Sequence, residues 1–475
     1  MPPSWKFKFD GRILFIGYGS VSRCTLPLVE RHFDMPLSRV SVIDAEDRSA
    51  EIAPYVAKGV TYVVQPIVRR NMAAVLSRYA SRGDLVLNLS VEVGSIDVMA
   101  WCQKNGVLYL DTCIEPWANY YANPKIPEEQ RTNYYLRYAA REQARKWPKG
   151  ATSALITHGA NPGLISHLVK DALLEIARRK KLKVTKPKTR EEWAGLAKRV
   201  GTKVIHVAEH DTQIANVPKR PAEFVNTWSI PGFCGEGAQP AELGWGSHEK
   251  RLPKGGRRHK VGPKCAIYLD QPGCVTQVRS WTPIGGPLIG FLITHGEAIT
   301  LSDYLTVWKG GRAVYRPTVH YAYHPCNDAV LSVREMVTNN FQVQPKWRLL
   351  GTEITEGIDE LGALLMGDHG ALWYGSQLSI EEARELLGQQ YNATSIQIAI
   401  PVLAGAMWLI EHPNQGLLEP EDLDHDFVMD ICRPYLGPVV AVASDWTPLK
   451  GRGELYAEPG LDRKDPWQFQ NFRFS

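Results

Sequence analysis

The residues in this chain best suited to do chemistry are acids interleaved with tryptophan and histidine. His206-Val207-Ala208-Glu209-His210-Asp211-Thr212-Gln213 is followed by Asn226-Thr227-Trp228-Ser229, then Glu236, then Pro240-Ala241-Glu242-Leu243-Gly244-Trp245-Gly246. Carboxylates pair with ammonium groups and an indole face attracts them, so this composition, without metal-ligand spacing, suits an organic cation. A second chemistry is written in Gly17-Tyr18-Gly19-Ser20-Val21-Ser22, which follows the apolar run Ile13-Leu14-Phe15-Ile16 and opens a helix. Val40-Ser41-Val42-Ile43 then reads as a second strand that ends in Asp44. This is the plan of a dinucleotide-binding βαβ unit. Gly17 permits the tight turn, and Gly19 lets the backbone approach a pyrophosphate lying over Ser20 and Val21 at the helix N-terminus. Asp44 would accept the ribose hydroxyls and repel a 2′-phosphate, so NAD is expected rather than NADP. Ser22 stands where a third glycine is usual, and Pro27 falls inside the expected helix at the cost of a hydrogen bond.

These groups need a frame. After Asp44 the strands Val60–Val64, Leu85–Leu89 and Val107–Leu110 alternate with the helices Asn71–Tyr79 and Ser95–Asn105, which predicts a parallel sheet covered on both faces. Ligands collect at the carboxyl ends of such strands. Asn88, Ser90 and Glu92 leave one strand there, and Asp111, Thr112 and Glu115 leave another. Asn88, Ser90 and Thr112 therefore join the cofactor-binding set, and Glu92 and Glu115 are candidate acids for a substrate. Loop composition at Pro148-Lys149-Gly150 marks a boundary. Beyond it come a strand at Ala154–Ile156, the turn Asn161-Pro162-Gly163, a helix over Leu164–Arg178 and, from about Lys203, β-branched alternation with many turns. The expected fold is α/β: residues 1–150 form a Rossmann-type NAD-binding domain, and residues 151–475 a mixed α+β substrate, catalytic and dimerisation region. A segment near 320–340 is a candidate for return to the first domain.

A chain of 475 residues with 22% charged residues and a net charge of +5 is ordinary for a globular protein. No apolar run approaches the roughly 20 residues that span a bilayer, and the N-terminus lacks the apolar core of a secretory signal, so a cytoplasmic protein is expected. The eight cysteines are scattered without metal or redox spacing, and Cys113 and Cys234 read as buried filler. Basic residues cluster at 178–190 and 250–264 without interleaved aromatics, which reads as solvated surface and not as a nucleic-acid site.

The acid and tryptophan segments, together with Glu115-Pro116-Trp117, Asn161-Pro162-Gly163, His320-Tyr321-Ala322-Tyr323-His324-Pro325-Cys326-Asn327-Asp328-Ala329, Leu372-Trp373-Tyr374-Gly375-Ser376-Gln377-Leu378-Ser379 and Asp465-Pro466-Trp467-Gln468-Phe469, resemble the bacterial homospermidine synthase family of the saccharopine-dehydrogenase-like superfamily. Ser22 and the basic loop Lys250–Lys264 depart from it. The resemblance implies an enzyme that recycles tightly held NAD while it moves an aminobutyl group from putrescine or spermidine to putrescine, with ammonia released. It implies that Glu209, Asn161 and His295 surround the reacting nitrogen, that Trp228 stabilises the cation, and that Glu115 and Glu236 bind the distal ammonium, with Glu92 and Asp359 as further acids of the same channel. It also implies a homodimer acting on polyamines, without metal, nucleic acid or membrane. Read without it, Glu209 and Glu236 could be exposed acids, Trp228 a core residue, and His295 or Asp359 a cap. Two other functions fit the residues: a reductive-amination dehydrogenase of the saccharopine or carboxyspermidine type, which would need arginines to clamp a carboxylate, and a non-catalytic NAD sensor.

Overall fold

A run that is apolar at every position, such as Ile13–Ile16, is stable as a strand only where both faces are covered. All four of its residues are buried, as are those of Leu85–Asn88 and Leu108–Asp111. In a computed structural model that describes residues 5–121 and 123–474, these runs lie at the middle of a seven-stranded sheet. Met1–Ser4, part of the stretch read above for a secretory signal, lies outside the described residues. The strands are β1 (Ile13–Ile16), β2 (Val40–Asp44), β3 (Thr61–Val64), β4 (Leu85–Asn88), β5 (Leu108–Asp111) and β6 (Ala154–Leu155). Their order is β3-β2-β1-β4-β5-β6, every pair parallel, and Leu417–Leu418 joins beyond β6. This is the doubly wound order, with its switch point between β1 and β4.

The chain divides into two compact units: Met1–Lys125, Leu136–Leu164 and Ala383–Tyr435 form the first, and Ile126–Tyr135, Ile165–Glu382 and Leu436–Ser475 the second. The first thus runs past residue 150. The segment that returns to it is 383–435, not the one near 320–340, which lies in the second unit. The reason is visible in the helix Ala393–Glu411. It is apolar almost all round, so it carries no helical periodicity to mark it, and it packs against the helices Ser20–His32 and His425–Cys432 and against β5. By length and mean hydropathy, 1.7, it could cross a membrane, yet 89% of that apolar window is buried inside the protein. Gly405 allows the close seat: a Cβ there would lie 2.5 Å from His158 Cδ2 and 2.9 Å from Leu155 Cδ2.

The second unit is built on a mixed sheet, as its β-branched alternation predicts. Its strands are β7 (Thr202–Asp211), β8 (Pro240–Gly244), β9 (Gly256–Arg258), β10 (Ala266–Pro272), β11 (Gln277–Thr282), β12 (Gly286–Phe291), β13 (Thr318–His324), β14 (Ile358–Gly367), β15 (Gly370–Ser379) and β16 (Val439–Ser444). The order β9-β10-β8-β13-β7-β14-β15-β16 is antiparallel except for β13 with β7, and the β11–β12 hairpin joins along β13. Trp373, Trp446, Trp467 and Phe472 pack with Val204, Ala208, Leu364 and Met366 into one core, while Trp245 and Phe469 belong to a second. The strings 372–379 and 465–469 therefore supply core residues of this unit.

Candidate active site

In the first unit the site is mostly backbone. Gly17 has φ 89°, and a Cβ on it would stand 2.9 Å from Ser90 Cα and 3.0 Å from Leu89 O, so only glycine lets the turn pass so close to the end of β4. A Cβ on Gly19 would meet nothing within 4 Å, and the buried hydroxyl of Ser20 beside it has no partner among the described residues. Val21 continues the first turn of the helix Ser20–His32, whose N-terminal N–H groups favour an anion. These features fit a bound pyrophosphate. Ser22, at the third glycine position, is fully buried, and its hydroxyl donates to Gly17 O at 2.7 Å, so serine here tethers the turn. The helix runs through Pro27 unbroken. Asp44 accepts the N–H of Tyr18, inside the turn, and that of Glu46 at 2.7 Å.

The other first-unit residues sit at the carboxyl ends of β4, β5 and β6. Asn88 is buried and donates to Val93 O at 3.2 Å and to Tyr109 Oη at 3.3 Å, while the Ser90 hydroxyl donates to its Oδ1 at 2.8 Å. Glu92 is exposed, with φ 62°, and its N–H donates to Glu115 Oε2 at 3.4 Å. Burial pushes the Glu115 carboxyl up to about 7, against the pull of that N–H and with the charge of Asp111 adding to the rise. Burial likewise pushes Asp111 up to about 7, although Thr157 N–H and Tyr109 O–H both donate to it at 2.7 Å. Thr112 is partly buried where a Cβ on Gly159 would touch it, at 3.2 Å, and Asn161 lies in the turn that Gly159 N–H and Pro162 O close at 2.6 Å.

In the second unit the site is made of side chains. Strand geometry puts alternate residues on one face, and the register sets Tyr323 beside Glu209, Leu361 beside Glu209 on its other flank, and Asp359 beside Asp211. Glu209, Asp211, Tyr321, Tyr323 and Asp359 thus share a face of β7, β13 and β14. Glu209 is only 3% exposed and accepts the hydroxyl hydrogen of Tyr321. Tyr321 stacks on Tyr323 with ring centres 5.0 Å apart and 9° between planes. The Tyr323 hydroxyl accepts Trp228 Nε1–H at 2.9 Å, and the partly buried indole also leans on Phe233 at 5.5 Å. His295, which precedes the helix Gly296–Tyr304, lies 4.4 Å from the Tyr321 ring and bonds Glu297 Oε2 through Nδ1 at 3.0 Å. Burial pulls His295 down to about 4 against the opposing charge of Glu236, and it pushes Glu297 well above the carboxylate range. His295 is therefore neutral at physiological pH. Glu236, on the helix Ile230–Ala238, is partly buried, and its charge also bears on Tyr321. Asp359 is fully buried and acts on Tyr323, while Asp211 accepts from Thr227 Oγ1 at 2.9 Å and Gln213 Nε2 at 3.0 Å.

Not every acid or tryptophan of the motif segments joins this group. Glu242 is buried against His259 Nε2 at 3.1 Å and accepts from Thr294 Oγ1 at 2.9 Å, and Trp245 is core. His259 ties the basic loop 250–264 to the sheet, which gives part of that loop a structural place. Cys234 is buried and its thiol is pushed up to about 12, whereas Cys113 is half-buried. Among the described residues no group of His, Cys, Asp or Glu is placed to hold a metal ion. The sequence reading missed Tyr321, Tyr323 and Glu297. The alternation in His320-Tyr321-Ala322-Tyr323-His324 could have put both tyrosines on one face, but not opposite Glu209, more than a hundred positions away.

Residues 13–155 match the family model of the saccharopine dehydrogenase NADP binding domain, and residues 159–443 that of the saccharopine dehydrogenase C-terminal domain. Homospermidine synthase of Blastochloris viridis is 49% identical over 98% of this chain and 97% of its own length, and that of Mesorhizobium japonicum is 47% identical over 98% and 96%. The crystal structure of homospermidine synthase from Legionella pneumophila, solved in complex with NAD, superposes with a TM-score of 0.91 at 45% identity over 99% of both chains. Saccharopine dehydrogenase (L-Glu forming) from Saccharomyces cerevisiae shares the fold, with a TM-score of 0.52 at 11% identity over 92% of this chain and all of its own. The chain belongs to the homospermidine synthase family.

Proposed function

We propose that this chain is a homospermidine synthase: it transfers an aminobutyl group from putrescine or spermidine to putrescine through imine intermediates, releases ammonia and leaves no net change in NAD. Two putrescines give one homospermidine and one ammonia. NAD, when bound, supplies the acceptor for the electrons of the first oxidation and their donor for the final reduction. Gly17, Gly19, Ser20 and Val21 would hold its pyrophosphate, Asp44 its ribose, and Asn88, Ser90 and Thr112 line the same strand ends. Asp44 disfavours a 2′-phosphate, which is why we assign NAD despite the NADP in the name of the matching domain family.

The observation that carries this reading is the buried meeting of an acid, an indole and two phenols around Glu209. A carbon can lose hydride only when its nitrogen is neutral, so a base must first remove a proton from the ammonium and an acid must return one later. Glu209 is the residue we assign to that exchange, with His295 and Asn161 flanking the nitrogen. His295, held neutral, can donate or accept a hydrogen bond without adding a positive charge beside an iminium. The Trp228 face stabilises the cation, Glu115 and Glu236 bind the distal ammonium, and Glu92 and Asp359 add negative charge along its path. Such a site, built from acids and aromatics, suits diamines better than the carboxylate of an amino acid. We further propose a cytoplasmic homodimer; the eight free cysteines are consistent with a reducing compartment.

The test is incubation of the purified protein with putrescine and NAD far below the substrate concentration. Homospermidine and ammonia should form in equal amounts, over many turnovers per NAD. Free NADH accumulating in step with product would replace this reading with an ordinary dehydrogenase.

A further inference from the structure

We propose that Tyr321 and Tyr323 form a rigid bracket that fixes Glu209 relative to Trp228, which makes both tyrosines positioning residues for the reaction. The inference rests on the roles given above to Glu209 and Trp228. The two phenols occupy alternate positions of β13, on one face, and stack nearly parallel at 5.0 Å. Each hydroxyl holds a different partner: that of Tyr321 donates to Glu209 Oε2, and that of Tyr323 accepts Trp228 Nε1–H at 2.9 Å. Glu209 itself lies on β7 directly beside Tyr323, while Trp228 comes from a separate segment, so β13 alone carries both contacts. Both phenols are buried, and burial together with the charge of Glu209 keeps them protonated far above the usual phenol range. They act as fixed hydrogen-bonding groups at any working pH.

An indole has a strong quadrupole only along its face normal, so a cation gains from Trp228 only if the ring plane is aimed. The Nε1–H bond to Tyr323 restrains that plane, with Phe233 supporting it from the side. A carboxylate that exchanges protons with an amine must likewise hold its oxygens within hydrogen-bond reach, and Tyr321 restrains Glu209. Stacking couples the two restraints, so a shift of one phenol disturbs both the base and the cation site.

The test is a pair of double-mutant cycles on the NAD-bound enzyme, read by homospermidine formation and by calorimetric binding of putrescine. Tyr323→Phe keeps the ring and removes the acceptor; it should cost about threefold to tenfold in kcat/KM and weaken putrescine binding by a similar factor. In a Trp228→Phe background, which has no Nε1–H to aim, the same change should cost less than about twofold. Tyr321→Phe should cost about tenfold to a hundredfold in kcat, and little more once Glu209→Gln has removed the carboxylate. Losses that multiply independently in the double variants, or single variants with unchanged kinetics and binding, would overturn the bracket. Thermal unfolding of all variants separates a general loss of fold from a loss of aim. If the unmodified enzyme binds putrescine but makes no homospermidine, the functional reading fails, while the binding arm of the cycles still decides the bracket.

Discussion

The two halves of the chemistry are built from different materials. In the first unit a cofactor cradle is made by backbone: a glycine turn with φ 89°, a helix N-terminus, and strand ends at a topological switch point. In the second unit the amine site we propose is made by side chains from separate segments, among them Glu209, Trp228, His295, Tyr321 and Asp359. A backbone cradle tolerates side-chain variation and fails when the chain path changes. A side-chain site tolerates variation in the path and fails when one functional group changes.

The largest effect is expected at Glu209. Glu209→Gln keeps shape and removes the base, so kcat should fall about 10²- to 10⁴-fold with NAD binding unchanged, as measured by steady-state kinetics and cofactor titration. A variant within a few-fold of the parent would move the proton exchange elsewhere. Gly17→Ala adds one methyl where the turn has positive φ and the backbone of Ser90 is 2.9 Å away. Strain of about 1 to 3 kcal/mol should weaken NAD binding by about fivefold to a hundredfold, and lower Tm, while leaving the diamine site intact at saturating NAD. Trp228→Ala should cost about five- to thirtyfold in kcat/KM for putrescine, and Trp228→Phe less, since a phenyl ring keeps part of the quadrupole.

The pH dependence follows from Glu115. Its carboxyl titrates near 7, so it is neutral below that pH and ionised above it, and only the ionised form attracts an ammonium. The value of kcat/KM for putrescine should therefore rise as pH increases through 7, and Glu115→Gln should flatten that limb while lowering the plateau. A limb that persists unchanged in Glu115→Gln would assign it to another group, Asp111 first, since burial brings it to the same range. The smallest effect is expected from Asp44→Asn. It should narrow the preference for NAD over NADP by about tenfold or less, because an amide oxygen can still accept one of the two N–H groups that Asp44 holds, those of Tyr18 and Glu46.

How much of this could be read in the chain depends on the same contrast. The glycine turn, the apolar strands and Asp44 are local, and their spacing alone puts the turn and Asp44 at the carboxyl ends of parallel strands. Ser22 looked like a defect, yet its hydroxyl caps Gly17 O, a hydrogen bond no pattern announces. The returning segment escaped notice because the helix Ala393–Glu411 has no polar face, and amphipathic periodicity is what marks a helix in sequence. At the proposed amine site, Glu209, Trp228, His295 and Asp359 are legible through family resemblance, not through pairing. The structure brings their neighbours Tyr321, Tyr323 and Glu297 into view because strand register, which no single strand encodes, decides who stands beside Glu209.

If oxidation and reduction are two halves of one event on one retained cofactor, the hydrogen that leaves the first diamine must come back to it, and isotope tracing follows that hydrogen. Putrescine deuterated at both carbons next to nitrogen is supplied with the enzyme, a trace of NAD and an excess of unlabelled NADH in solution, and the homospermidine is weighed by mass spectrometry. The product should keep every deuterium of its two parents, because the hydrogen removed from the first diamine returns to the same carbon. A product lacking one deuterium would contradict it, since the reducing hydrogen would then have come from the free pool.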